Sequence, residues 1–143
     1  MLEEKIKQKE KENWIRCRFA IEVMAVKEDI VEKALKDHVE KLAKVPVVFV
    51  YKKDFSNIEK VENPPKNIKE AYSQIVELEL FVKDIFSLIN VAVRFGPSSI
   101  EILSPSEKKI GAEEIQNIAN FVTGIIHQFA AIGVGGIVMQ PKK

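Results

Sequence analysis

The feature that most constrains the fold is an alternation of apolar and polar side chains in two separate segments of the chain. The first segment begins at Ile15, and one of its faces carries Phe19, Ile21, Val23 and Ala25. The second segment is Tyr72–Val82, and one of its faces carries Val76, Leu78, Leu80 and Val82. Successive side chains point to opposite sides of an extended chain. Each segment therefore predicts a strand with one buried face.

Each of these strands is followed by a segment with helical periodicity and then by another short strand. Lys27–Lys44 carries one apolar stripe, and a second runs from the N-cap Asp84 to the C-cap Gly96. Two short segments are rich in β-branched residues and therefore predict strands. They are Val47–Tyr51 and Ser99–Leu103. Together these segments give the order of the predicted strands and helices along the chain.

That order is β-α-β-β-α-β followed by a long helix. It predicts an α+β fold of the ferredoxin-like split type, with two helices on one face of an antiparallel sheet. In this arrangement the first and third strands are expected to be central neighbours. The loop Lys52–Asn67 separates the second and third strands, and its part Ile58–Val61 can extend one sheet edge. Residues 1–14 predict a charged N-terminal arm or helix, and residues 15–143 a single domain.

The C-terminal helix, predicted over Ala112–Ile132, carries more apolar surface than a helix that faces only solvent needs. It is therefore expected either to cover the open sheet face or to form the contact of a homodimer. The candidate interface residues are Phe121, Ile125, Phe129 and Ile132. After it, Gly133 is the expected C-cap, and Gly135–Met139 can form a short fifth strand.

Charge and composition exclude several classes of protein. The chain has 143 residues with 22 Lys plus Arg and 21 Asp plus Glu, so its net charge of +1 gives no general attraction to nucleic acid. The single cysteine, Cys17, excludes an intramolecular disulfide and a zinc site built from several cysteines. No segment reaches the ~18 consecutive apolar residues of a membrane span, so a cytoplasmic protein is expected. Richness in lysine, glutamate and isoleucine is typical of a thermophile.

Charged residues alternate with the apolar residues of the two long strands and of the short strand Ser99–Leu103, and they form a candidate cluster on the sheet face without helices. Its members are Arg18, Glu22, Glu77, Glu79 and Glu101. Crowded carboxylates can hold a hard cation or divide acid and base roles. The favoured interpretation is that they form salt bridges with arginines and lysines, because charged groups are rarely buried unless paired. The same acidic side chains argue against RNA binding through this sheet.

A second candidate site lies at the turn after the second helix, where Arg94, Ser98 and Ser99 could bind the carboxylate or phosphate of a small ligand. An ordinary helix-to-strand turn explains the same residues and is favoured. His38 and His127 lack a second ligand at metal spacing. Since the common catalytic motifs do not occur, the sequence predicts no catalytic residue, metal or cofactor and favours a protein that is not an enzyme.

Three stretches of the sequence resemble a known family. They are Ile68–Tyr72, Phe95–Leu103 and Ala130–Val138, and together they are similar to a family of small uncharacterised archaeal proteins over about residues 15–140. The resemblance implies an archaeal origin and an unassigned role, with no catalytic residue to carry over. The leading hypothesis is a noncatalytic, homo-oligomeric binding or regulatory module. The alternative is a small enzyme or metal-dependent protein that uses the carboxylates of the sheet face.

Overall fold

The computed structural model describes residues 1–132, which fall into two compact units. The first unit is Met1–Lys108 and the second begins at Lys109. Within these residues, the first unit contains α1 (Leu2–Lys11), β1 (Ile15–Ala25), α2 (Glu28–Ala43), β2 (Val48–Phe55), β3 (Glu59–Lys60), β4 (Tyr72–Val82), α3 (Ile85–Phe95) and β5 (Ser99–Ser104). The second unit contains α4 (Ala112–Ala131). The single domain over 15–143 stays a prediction, and Gly133 and the strand Gly135–Met139 lie outside the described residues.

The first unit is an α+β structure around an antiparallel sheet with the strand order β2-β4-β1-β5. The long strands β1 and β4 pair over their whole length, from Ile15 opposite Val82 to Ala25 opposite Tyr72. They are the first and third long strands, so the predicted central pair is confirmed. The two-residue strand β3 pairs with the start of β4, which confirms the edge extension predicted within Ile58–Val61.

The core lies between one face of the sheet and the helices α2 and α3. On that face Phe19 of β1 and Leu78 of β4 are fully buried and directly opposite each other. The stripe of α2 that packs on β1 and β4 consists of Val31, Leu35, Val39 and Leu42, and all four are buried. Because both strands and the helix place their apolar residues at their own period, the three elements bury one continuous surface.

The ends of α3 follow the signals in the sequence. The Asp84 carboxylate accepts a hydrogen bond of 2.8 Å from the Ser87 backbone N–H, as an N-cap should. At the other end Gly96 has a φ of 58°, a left-handed conformation that glycine adopts without a steric penalty. The Nε2 atom of His38 on α2 lies 2.7 Å from the Phe95 carbonyl oxygen, so this histidine links the two helices.

The two terminal helices bury little. α1 has no buried residue, and Arg16 of β1 forms an ion pair of 3.1 Å with its Glu10. α4 is 20 residues long and also has no buried residue, although it is rich in isoleucine and phenylalanine. His127 lies on α4 and is exposed. Within residues 1–132, no helix combines the length and the apolar character that crossing a bilayer needs.

Candidate functional site

The face of the sheet opposite α2 and α3 carries a row of alternating charges across four strands. Arg18 of β1 lies opposite Glu79 of β4 on one side and opposite Glu101 of β5 on the other. Lys52 of β2 lies on the far side of Glu79. We call Glu101, Arg18, Glu79 and Lys52 the charge ladder, because cross-strand neighbours in it always have opposite signs. Such pairs stabilise a strand register, whereas like charges oppose it.

The side chains of the charge ladder are joined by ion pairs. Arg18 lies 3.0 Å from a carboxylate oxygen of Glu101 and 3.8 Å from one of Glu79. Lys52 lies 3.5 Å from Glu79. Glu79 is the least exposed of the four, with 16% of its side chain accessible against 60% for Glu101. The salt bridges favoured by the sequence are therefore present for Arg18, Glu79 and Glu101.

A β-bulge brings Lys52 onto this face. Val50 lies opposite Leu80, but Lys52 and not Tyr51 lies opposite Glu79, so Tyr51 is the extra residue on β2. Without the bulge, the alternation that buries Val48 would turn Lys52 towards the helices. The shift also places Asp54 opposite Glu77 of β4. The strand predicted over Val47–Tyr51 stops short of Lys52 and Asp54, so the apolar pattern of the sequence does not place these two residues on this face.

Next to the charge ladder, a second row of residues crosses the same four strands. It consists of Ser99, Ala20, Glu77 and Asp54. Because Ala20 and Ser99 are small while the side chains of the charge ladder are long, the face is hollowed between them. The two rows line a cavity of about 360 Å³. Its lining contains four carboxylates and two cations, and the carboxylates Asp54 and Glu77 occupy directly opposite positions.

On the other side of the charge ladder, aromatic side chains cover the sheet. Phe81 of β4 is fully buried although it lies on the face without helices. The rings of Phe49 and Tyr51 lie 6.4 Å and 5.4 Å from it, and the guanidinium of Arg16 lies 5.7 Å from its centre. Such contacts of aromatic rings and of a cation with a ring face are favourable. Side chains of the strands therefore cover Phe81 on this part of the face.

A chain of hydrogen bonds connects this aromatic patch with the charge ladder. The Nε atom of Arg16 donates to the Tyr51 hydroxyl, which in turn donates to the Glu79 carboxylate at 3.0 Å. The hydrogen bond to Tyr51 raises the pKa of Arg16. Burial raises the pKa of Tyr51, and its bond to Glu79 adds to that effect. At neutral pH the arginine is therefore charged and the tyrosine neutral.

The Glu79 carboxylate belongs both to the charge ladder and to this chain of hydrogen bonds. Burial alone raises the pKa of its carboxyl, but the hydrogen bond from Tyr51 and the charges of Lys52 and Arg18 outweigh burial. The net pKa of Glu79 is therefore lowered. A carboxylate held in this way stays ionised at neutral pH, which suits an anchor for cations better than a general acid.

The remaining predicted site residues are placed as follows. Glu22 lies on the same sheet face but opposite Ile75, outside the cavity lining. Ser99 lines this cavity, whereas the exposed Arg94 lines a different one, together with Val45, Val47 and other residues of α3. The Ser98 backbone N–H donates to the Ala20 carbonyl oxygen at 2.7 Å. The structure therefore does not bring Arg94 and Ser99 to one cavity.

A cysteine can act as a nucleophile, and clustered His, Cys, Asp and Glu side chains can bind a metal ion. Cys17 is fully buried on the helix-covered face, and burial raises the pKa of its thiol to about 12. A thiol that is buried and has a raised pKa is a poor nucleophile, because the thiolate is the reactive form. In the described part of the chain, His, Cys, Asp and Glu side chains form no group of three or more that could hold a metal ion.

The candidate interface residues all lie on α4 or at its end. Phe121 and Ile125 are half-buried, while Phe129 and Ile132 are 46% and 68% exposed. Ile115 and Val122, which the candidate set omitted, are also exposed, at 53% and 42%. Periodicity in the sequence places both residues on the same apolar stripe of the helix as the candidate interface residues.

Comparison with known proteins gives one result for nearly the whole chain. No curated protein matches the sequence. The model of the MJ0538 family matches residues 3–142. This range contains the three stretches that carried the resemblance. It begins before β1 and ends after β5. The resemblance to a family of uncharacterised proteins is therefore confirmed: the chain belongs to the MJ0538 family.

Proposed function

We propose that the protein is a noncatalytic, homo-oligomeric binding or regulatory module, with copies of the same chain joined through α4. The observation that carries the proposal is the contrast between the composition and the burial of this helix. Ile115 to Ile132 contains no Asp, Glu, Lys or Arg, in a chain of which 30% is charged. None of the residues of α4 is buried. A helix with an apolar stripe normally buries that stripe against something.

A second copy of the chain suits this surface. Because residues 115–132 carry no formal charge, two such helices can approach without repulsion between like charges. A strongly charged partner would find nothing to pair with on the same residues. The smallest assembly of this kind is a homodimer with the same surface on both chains.

The chemistry of the sheet supports the noncatalytic part of the proposal. Within residues 1–132, the side chains whose pKa departs clearly from its ordinary value all depart away from neutrality. The pKa is raised for Arg16, Cys17 and Tyr51 and lowered for Glu79. A general acid or base works best with a pKa near the working pH. An enzyme that used Glu79 or Glu101 would first have to release them from their ion pairs with Arg18.

The fold and the compartment belong to the same proposal. We infer that the first unit is a ferredoxin-like split βαβ domain, since the central pair β1–β4 and the helices α2 and α3 on one face support that arrangement. We also infer a cytoplasmic protein of thermophilic, archaeal origin. The buried free thiol of Cys17 and the lysine-rich composition support these inferences.

The test is the mass in solution of the full chain by light scattering, for the wild type and for two variants of α4. Phe129→Asp places a charge on the apolar stripe. Asn120→Asp places the same charge on the opposite side of the helix. The nine residues from Asn120 to Phe129 correspond to about 900° of rotation, which is two full turns plus half a turn. We expect an oligomer for the wild type and for Asn120→Asp, and a folded monomer for Phe129→Asp.

Each outcome decides the proposal. A wild type with the mass of a single chain would overturn homo-oligomerisation. An oligomer that survives Phe129→Asp would show that α4 is not the contact. Circular dichroism of all three proteins separates dissociation from unfolding, since a folded monomer keeps the helical signal of the wild type.

A further inference from the structure

The apolar residues of α4 follow a more regular pattern than an amphipathic helix needs. Six of them, along the helix and at its C-cap, are spaced alternately by three and four residues: Ile115, Ile118, Val122, Ile125, Phe129 and Ile132. Spacing of this kind, with a mean of 3.5 residues, defines the a and d positions of a coiled coil. We call these six residues the seam. It starts at a position a with Ile115 and ends at a position d with Ile132.

We propose that α4 joins three or four copies of the chain in a helical bundle packed around the seam. This inference rests on the proposed function, because it takes homo-oligomerisation through α4 as given and specifies the number of copies. The occupant of each seam is the seam of another copy. Four of its residues, Ile115, Val122, Phe129 and Ile132, are each at least 42% exposed in the single chain.

The residues at the d positions determine the number of copies. In coiled coils, β-branched residues at a with leucine at d favour two helices, whereas isoleucine at both positions favours three or four. Here a carries Ile115, Val122 and Phe129, and d carries only isoleucine, at Ile118, Ile125 and Ile132. No leucine occurs between residues 112 and 132. The shape of the side chains at d therefore opposes a simple pair of helices.

The residues beside the seam favour the same number. A two-stranded coiled coil covers a narrow a and d stripe, whereas a helix in a larger bundle is apolar also at e or g. The e positions between Ile115 and Ile132 are Ala119 and Ile126, and Ile126 is 37% exposed. The residue types furthest from the seam are polar, with Asn120 and His127 at f. The apolar stripe is thus wide enough to contact two neighbouring helices at once.

The experiment is sedimentation equilibrium of the full chain, for the wild type and two leucine variants. The double variant Ile118→Leu/Ile125→Leu places leucine at two d positions and keeps the volume and the apolar character of the seam. Ile126→Leu makes the same exchange at an e position and is the matched control. We expect three to four times the mass of one chain for the wild type and the control, and twice that mass for the double variant.

The outcomes separate this inference from the proposed function. A wild-type dimer would overturn the inference and leave homo-oligomerisation through α4 standing. A wild-type monomer would overturn both. A double variant that keeps three or four copies would overturn the role assigned to the d isoleucines. Leucine forms helices at least as well as isoleucine, and circular dichroism of each variant verifies that the helix is retained.

Discussion

The two faces of the central strands β1 and β4 consist of alternate residues of the same two segments, yet they hold different chemistry. Towards α2 and α3, Phe19 and Leu78 are fully buried and belong to the hydrophobic core. On the other face, one position along each strand, Arg18 and Glu79 form an ion pair and keep part of their surface in water. The helices cover Phe19 and Leu78, whereas Arg18 and Glu79 lie on the face opposite the helices.

The comparison separates stability from surface chemistry. Apolar burial contributes about 25 cal/mol for each Å² removed from water, whereas an exposed ion pair contributes about 0–1 kcal/mol. We therefore expect the helix-covered face to supply most of the free energy of unfolding. The charge ladder is expected to set which groups the open face presents and in which register the strands pair.

The largest effect is expected for Leu78→Ala. It removes a fully buried side chain beside Phe19 and leaves a cavity in the core. Such substitutions lower the free energy of unfolding by about 2–5 kcal/mol, measured here by urea denaturation at pH 7. The control is Ile75→Ala on the same strand, because Ile75 lies on the open face with 40% of its surface exposed. A cost for Ile75→Ala equal to that for Leu78→Ala would contradict the division between the faces.

The second prediction concerns the chemical reactivity of Cys17 on the helix-covered face. With its pKa raised to about 12, the thiol is almost entirely protonated at pH 8. We expect alkylation in the native protein to be slower than for a free cysteine by roughly 10³-fold, from the thiolate fraction alone. The measurement is the rate of iodoacetamide labelling by mass spectrometry, with the unfolded protein in urea as the control. Equal rates in the native and unfolded states would show that this face opens readily.

The third prediction moves to the open face, where Glu79→Gln keeps the shape of the side chain but removes its charge. Lys52 and Arg18 then lose their common partner, and Tyr51 donates to a neutral oxygen. Since the side chain is 16% exposed, we expect a loss of about 1–2 kcal/mol in the free energy of unfolding at pH 7. Glu22→Gln removes a charge from an exposed position of the same face and is expected to cost less than about 0.5 kcal/mol.

The effect of Glu79→Gln should depend on pH. The pKa of Glu79 is lower in the folded protein than its ordinary value. The carboxylate therefore contributes stability that is fully present above the ordinary value of about 4.3 and is lost as the pH falls through the lowered value. The difference between wild type and variant is expected to persist from pH 7 to about 5 and to shrink below pH 4. A difference that grows in acid would contradict the lowered pKa.

The sequence predicted the helix-covered face well because three independent signals coincide there. Alternation in β1 and β4 and the stripe of α2 all place apolar residues on one side. The caps Asp84 and Gly96 fix the ends of α3 from single residues, and the structure has both. Signals of this kind are local, so no knowledge of the partner strand is needed to interpret them.

The open face could be predicted only in part. Arg18, Glu79 and Glu101 follow from alternation in strands whose ends were recognised. Lys52 and Asp54 do not, because they reach this face only through the bulge at Tyr51, which is a property of the pairing with β4. A strand that continues through charged residues also lacks the apolar alternation by which strands are recognised. Only the register shows that Lys52 has an acidic partner.

The smallest effect is expected for the most exposed pair of the charge ladder, Arg18 and Glu101. Their side chains are 40% and 60% exposed and lie 3.0 Å apart. A double-mutant cycle with Arg18→Gln and Glu101→Gln should give a coupling energy of about 0.2–1 kcal/mol in low salt. In 1 M NaCl, where the Debye length is about 3 Å, the coupling should fall towards zero.

Since Glu79 is less exposed, its coupling with Arg18, measured with Arg18→Gln and Glu79→Gln, should keep more of its value at the same salt. If both couplings vanished together, the gradient of exposure along the charge ladder would have no energetic consequence, and the open face would behave as a uniform solvated surface.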